Sequence, residues 1–140
     1  MTGNWIDGVR SLLDAPSPAV LTTYRKDGSV LVSPVWFRWN DGALEVVIAV
    51  DDIKLRHLAN DPRCILVVFE AVRPFRGIEV RGEAALVEGD IAAARASIAG
   101  RYLGEADAAR FAAERKKPGV LLRLVPDEPR VWDLSGMLPS

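Results

Sequence analysis

The residue with the most suggestive chemistry in this chain is a lysine that follows two aspartates. The run Val46 to Arg63 reads VVIAVDDIKLRHLANDPR. Its spacing predicts a strand, a tight turn at Asp51-Asp52, and a short helix from Ile53 to Asn60. Asp52 is placed to cap that helix, and Pro62 stops it. Lys54 therefore falls in the first helical turn, where free backbone N–H groups carry partial positive charge. A cation there is unfavourable unless an anion joins it, and amides plus a lysine make a ready phosphate site. Two readings are open: Lys54 meets a ligand's phosphate, or Asp51 and Asp52 satisfy it and no ligand is involved. Arg56, two positions on, projects to a different side of the helix.

Few other residues have the types or spacing for catalysis. The sequence holds no Gly-rich phosphate loop, no G-x-S-x-G, no H-E-x-x-H and no zinc spacing. The single histidine, His57, has no evident relay partner, and a lone helical histidine is usually packing or surface. The single cysteine, Cys64, rules out an internal disulfide and, beside Ile65 and Leu66, reads as a small buried hydrophobe. Asp27, Asp41, Asp51 and Asp52 are accounted for by turns and capping.

The elements that must position Lys54 follow from periodicity and turn chemistry. Trp5 to Leu13 reads as an amphipathic helix with Trp5, Val9, Leu12 and Leu13 on one face. Strands are expected at Ala19–Tyr24, Val30–Trp39, Leu44–Val50, Cys64–Ala71, Ile78–Glu88 and Val120–Val125. A short last strand is expected near Arg130–Asp133. Hairpin turns lie at Lys26–Ser29 and Asn40–Gly42. Pro34 marks an edge, a bulge or a ligand-facing break in the second strand, and Gly82 a bulge in the fifth. Asp90 can cap a helix from Ile91 to Leu103, with Ile98, Tyr102 and Leu103 inward. A second helical piece from Ala106 to Lys117 ends in Arg115-Lys116-Lys117, read as a solvated helix end. Six antiparallel strands joined mostly by hairpins suggest a closed barrel or sandwich, mainly β with peripheral helices. If strands two and three are neighbours, Ser33, Pro34, Val35 and Trp36 meet Val47, Ile48, Ala49 and Val50 beside Lys54 and Arg56. Such a groove, apolar on one side and cationic at its end, suits a flat ring with a phosphate tail.

Composition narrows the classes. At 140 residues the chain is expected to be one domain, 1–140. Eighteen basic and nineteen acidic residues give a net charge of −1, which favours neither nucleic acid nor an anionic membrane surface. The start, MTGNWIDGVR, lacks signal-peptide regions, and no apolar run approaches membrane-spanning length. A cytoplasmic location is the default expectation.

The order of four pieces resembles the pyridoxamine 5′-phosphate oxidase-like family of FMN-binding split β-barrels. The pieces are VLTTYRKDGSVLVSPVWFRWNDG, VVIAVDDIKLRHLANDPRC, IEVRGEAALVEGD, and the late helices with the closing strand. The pattern K-x-R-[NH]-L-x-x-[DN]-P-R, here Lys54 to Arg63, is fairly specific in that context. The resemblance implies a six-stranded antiparallel split barrel and a homodimer that binds FMN or the deazaflavin coenzyme F-420 in grooves between subunits. It implies that Lys54 meets the cofactor phosphate and that Ser33–Trp36 and Val47–Val50 line the ring and ribityl chain. Phe75 and Arg76 match a position near the cofactor, across the dimer in some arrangements. Trp132 matches a segment near the ring edge, and the alternative, which is preferred, is plain core or dimer packing. The alanine- and arginine-rich composition resembles members from high-GC actinobacteria, where the deazaflavin branch is common.

The chain also departs from the family pattern. Val47 and Ile48 stand where many relatives carry a hydroxyl, and Ile53 replaces the arginine that true pyridoxamine phosphate oxidases carry before the lysine. Their substrate-phosphate residues are not evident in RVWDLSGMLPS, so vitamin B6 oxidation itself is not expected. The resemblance implies an oxidoreductase moving hydride between F-420 or FMN and a small organic substrate. The alternative is a non-catalytic carrier or sensor of a flavin, deazaflavin or haem, with His57 the only histidine available to haem iron.

Overall fold

The computed structural model describes residues 5–115 and 117–140. The residues before Trp5, on which the signal-peptide reading partly rests, and Lys116, the middle of the expected basic cluster, lie outside the described residues. The chain runs α1 (Trp5–Asp14), β1 (Ala19–Tyr24), β2 (Val30–Val35), β3 (Arg38–Asn40), β4 (Ala43–Ala49), α2 (Ile53–Asn60), β5 (Arg63–Phe69), β6 (Gly77–Glu83), β7 (Ala85–Val87), α3 (Ala92–Leu103), α4 (Glu105–Glu114), β8 (Gly119–Leu124) and β9 (Arg130–Trp132), then a short 3₁₀ turn at Ser135–Met137.

The strands form two antiparallel sheets, β2-β1-β5-β6-β9 and β3-β4-β8-β7. The mainly β reading holds. The expectation of six strands in a closed barrel or sandwich is met by nine strands in two antiparallel sheets, with no closed sheet among the described residues. Two long strands are broken, and each break sends the chain from one sheet to the other. Val30–Trp39 divides at Trp36-Phe37 into β2, which pairs with β1, and β3, which pairs with β4. Ile78–Glu88 divides at Ala84, whose N–H bonds the Pro62 carbonyl at 2.8 Å, into β6 beside β5 and β7 beside β8. Gly82 is in register with Cys64 rather than bulged, and the close approach of Leu124 Cδ1, 3.2 Å from where a Cβ would stand, explains a glycine there.

Local chemistry accounts for the elements. On β1 the inward positions Ala19, Leu21 and Thr23 alternate with half-exposed ones, as a one-faced strand requires. Asp41 and Gly42 both adopt positive φ, 51° and 73°, so Asn40 pairs with Ala43 across a two-residue hairpin. Asp52 caps α2, its carboxylate accepting from the Lys54 backbone N–H at 2.9 Å. Asp90, expected to cap the next helix, accepts the Ala92 N–H at 3.0 Å, but α3 starts one residue later and its N-cap position is Ile91. Val9, Leu12 and Leu13 of α1 join Leu21, Leu66, Val68, Ile78 and Val80 of one sheet and Leu44, Val46, Leu122 and Leu124 of the other in a single core. Trp5 sits at its margin, edge-on to Trp39 at 6.0 Å. Glu45 is buried within the second sheet and held by Arg38 at 2.6 Å and Arg123 at 2.7 Å, so its charge is paired across β3, β4 and β8. Leu103, expected inward, is 36% exposed, because α3 ends at Gly104, where positive φ turns the chain into α4.

Candidate functional site

The break at Trp36-Phe37 positions the candidate site. Two residues of α3 hold it. Tyr102 Oη accepts the Phe37 N–H at 3.3 Å and donates to the Ser17 carbonyl at 2.8 Å. Arg101 donates to the Phe37 carbonyl at 2.7 Å and to the carbonyls of Leu13 and Ala15. Both backbone groups of Phe37 are thus satisfied without a strand partner. Phe37 turns into the core, and Trp36 turns outward, 38% exposed. Its indole lies flat on Tyr102, with centroids 5.1 Å apart and planes at 9°, and tilts against Phe111 of α4 at 5.6 Å. Burial pushes the Tyr102 hydroxyl above its ordinary pKa, which keeps it neutral and able to donate.

Trp36 is the shared wall of two cavities. One, of about 290 Å³, lies between β4 and the α3–α4 pair and is lined by Trp36, Val47, Ala49, Arg95, Ile98, Ala99, Phe111, Arg115 and Lys117. Its floor is apolar and aromatic, and its cations sit toward the α4 end. Arg95 donates to the carbonyls of Arg115 at 3.0 Å and Lys117 at 2.7 Å, which satisfies the end of α4. The Arg115 guanidinium lies over the Phe111 ring at 5.1 Å. The Lys117 ammonium pairs with Asp51, holding that carboxyl below its usual range. The other cavity, of about 680 Å³, runs along the edge strand β2 and is lined by Pro16, Pro18, Ala19, Val20, Pro34, Val35, Trp36, Phe69 and Tyr102, none of them charged.

The structure brings part of the expected set together. Trp36, Val47 and Ala49 share the first cavity. Pro34 and Val35 share the second with Trp36. Strands two and three are not neighbours as a meander would have them: β2 and β4 belong to different sheets, linked only by β3. Ile48 points into the core and Val50 lies exposed past the end of β4. Only position 47 of the two expected hydroxyl positions therefore faces a cavity. Ser33, Lys54, Phe75 and Arg76 line neither. The Lys54 ammonium rests 3.1 Å from the Asp52 carboxylate, so the pairing alternative holds for Asp52 but not for Asp51, which Lys117 takes. Arg56 faces another hollow, with Tyr24, Arg25, Lys26, Ile53, His57 and Asn60. Arg76 binds Glu70 at 2.8 Å and Ser11 Oγ at 2.9 Å, tying the β5–β6 connection to α1. Phe75 adopts positive φ in that connection.

Sequence reasoning missed Arg95, Ile98, Ala99, Phe111, Arg115 and Lys117. Arg115 and Lys117 are exposed at the end of α4, as a solvated helix end requires, and they also line the first cavity. Nothing in an alanine-rich helical pair announces which face meets β4. Trp132 packs its ring over Gly77, where a Cβ would stand 2.0 Å from it, and carries Arg130 at 4.7 Å on that ring, so packing accounts for it within the chain. Cys64 is buried and its thiol is pushed up to about 11 by desolvation, as an inert core residue requires. His57 is buried with Nδ1 2.9 Å from Thr23 Oγ1.

Similarity to known proteins agrees with this fold. A conserved hypothetical protein from Mycobacterium tuberculosis superposes with a TM-score of 0.81 at 22% identity, covering 100% of this chain and 91% of its own. An F420 reductase superposes at 0.71 with 25% identity, covering 93% and 98%. The haem storage protein HutZ of Vibrio cholerae superposes at 0.68 with 17% identity, covering 94% and 95%, and at that identity shares the fold alone. No curated protein sequence matches the chain. The family model described as pyridoxamine 5′-phosphate oxidase matches residues 6–133, nearly the whole chain, and the protein belongs to that family.

Proposed function

We propose that this chain is an oxidoreductase that holds coenzyme F-420 or FMN and moves hydride between it and a small organic substrate. The observation that carries the reading is the Trp36 cavity. Segments of the chain far apart in sequence supply a flat aromatic wall, apolar side chains from β4 and a cationic end, the donor set that a planar ring with an anionic tail requires. When bound, such a cofactor supplies the redox chemistry. The chain's own residues bind and orient it. Trp36 and Phe111 offer faces for stacking, Val47 and Ala49 exclude water, and Arg115 offers a guanidinium with no acidic partner among the described residues. Lys54 takes the cofactor phosphate by exchanging it for Asp52. The similarity to an F420 reductase supports the deazaflavin over FMN.

The reading includes a second copy of the chain. The β2 edge is open, with Val30 43% and Val32 56% exposed, and an unprotected apolar edge calls for a cover. Pairing there would also allow Ser33, Phe75 and Arg76 to approach the cofactor from the partner. Analytical ultracentrifugation should report a dimer; a monomer at micromolar concentration removes this part of the proposal. Equilibrium titration with F-420 and with FMN, followed by mass analysis of anything released from purified protein, tests the whole. If neither cofactor is bound or taken up, the function is wrong. Lys54→Ala should weaken the bound cofactor by about 1.5–3 kcal/mol through loss of a charge-assisted contact. Haem is a weaker fit, since the one histidine is engaged by Thr23 and lies outside the Trp36 cavity. Visible absorption after haem addition checks it.

A further inference from the structure

A second place on the molecule collects cations that form no ion pair among the described residues. The end of β1 and one face of α2 enclose a hollow of about 290 Å³ lined by Tyr24, Arg25, Lys26, Ile53, Arg56, His57 and Asn60. The α2 members recur at the three-, four- and seven-residue spacing of one helix face. The lining holds three permanent cations and a histidine and no carboxylate. Arg25, Lys26 and Arg56 form no ion pair among the described residues, whereas the neighbouring Lys54 and Arg63 are each held by an aspartate. In a chain of net charge −1 this is a local excess, and it repels itself until an anion arrives.

Two of the groups are held in place. One nitrogen of the Arg25 guanidinium donates to the Val30 carbonyl at 2.7 Å, which fixes the plane and leaves its other N–H groups free. His57 is buried and fastened through Nδ1 to the fully buried Thr23 hydroxyl. That bond leaves Nε2 as the ring nitrogen without a partner among the described residues. The lining presents donors from two guanidiniums, an ammonium and the Asn60 amide, with the imidazole beside them. Several cationic donors gathered in one hollow match the several oxygens of a phosphate group.

We propose that this hollow binds a phosphate-type oxyanion, separately from the Trp36 cavity. The anion is a free phosphorylated ligand, because the proposed function gives the cofactor phosphate to Lys54, which lies outside this lining. The proposal does not depend on the redox reading, because inorganic pyrophosphate alone serves as the probe.

Isothermal titration of the intact chain with pyrophosphate at low salt should show one site per chain. Arg56→Gln and Lys26→Gln should each raise Kd about tenfold or more, the loss of one charge-assisted contact. Arg110→Gln, an exposed cation on α4, should leave Kd unchanged. Both Arg56 and Lys26 are surface positions, and an unchanged melting midpoint confirms that each variant folds. Absence of binding, or binding lost in Lys54→Ala but kept in Arg56→Gln and Lys26→Gln, overturns the proposal. Competition then tests that the site is separate from the cofactor's. Neither FMN nor riboflavin should displace pyrophosphate; displacement by FMN but not by riboflavin would put the cofactor phosphate here and overturn the proposal. Displacement by riboflavin as well would place a ring in the hollow rather than an anion, and the proposal would fall.

Discussion

Trp36→Ala removes the wall between the two cavities, and its consequences can be worked through. The residue is 38% exposed, so about three-fifths of it is covered. A tryptophan carries ~150–250 Å² of apolar payload, and three-fifths of that at ~25 cal/mol per Å² comes to roughly 2–4 kcal/mol. The lower half of that range applies here, since the site opens to solvent and its neighbours can relax into it. We expect about 2 kcal/mol of lost stability, read as a lower urea midpoint with an unchanged slope. Phe37 keeps its bonds to Arg101 and Tyr102, so the break between β2 and β3 should survive. Cofactor binding is the sharper readout. A stacked aromatic face is worth ~0.5–1.5 kcal/mol beyond area, so Kd for F-420 or FMN should rise up to about tenfold. Trp36→Phe should restore most of that while recovering only part of the stability. A Trp36→Ala protein with unchanged cofactor affinity would refute the placement of the ring against Trp36, whatever happened to its stability.

Other consequences concern the frame around the site. Glu45→Ala strands Arg38 and Arg123 beside a buried position, and urea unfolding should show a loss of about 2–4 kcal/mol, reduced from the fully buried case because both arginines retain some solvent. Gly77→Ala must push the Trp132 ring aside; a loss of about 1–3 kcal/mol is expected, with a fluorescence change that disappears in a Trp132→Phe background. The Cys64 thiol, raised to about 11 from 9.0, should resist thiol reagents in the native protein and react once it unfolds. Because the folded value is the higher one, its stabilising contribution is complete below pH 9 and is lost as pH rises toward 11, about 2–3 kcal/mol in all. Cys64→Ala should flatten that limb of the stability profile; an identical pH dependence in the variant would show that other groups cause it.

Local elements were legible because their causes are local. The alternation on β1, the Asp41-Gly42 turn, the Asp52 cap and the Pro62 stop are interactions among residues a few positions apart, and α2 lies at Ile53–Asn60 as its spacing predicts. The resemblance carried by the Lys54–Arg63 pattern pointed to the right family for the same reason: a helix start and its stop form one short word. The pairing of Lys54 with Asp52 was likewise open to view, since the two are neighbours on one cap.

The rest depended on distances in space. Period-two patterning shows that Val30–Trp39 is extended but not that Trp36-Phe37 breaks it, because Arg101 and Tyr102, more than sixty residues away, satisfy the freed backbone. The same break decides that β2 and β4 lie in different sheets, so strand adjacency could not be read from hairpin order. Arg115 is a solvated helix end, and only the folding of α3 and α4 over β4 makes it a wall of the Trp36 cavity as well. Residue types and short spacings determined the family and the chemistry available at Lys54. Only the tertiary structure decided which of those residues share a cavity, because that depends on long-range contacts for which a linear pattern has no period.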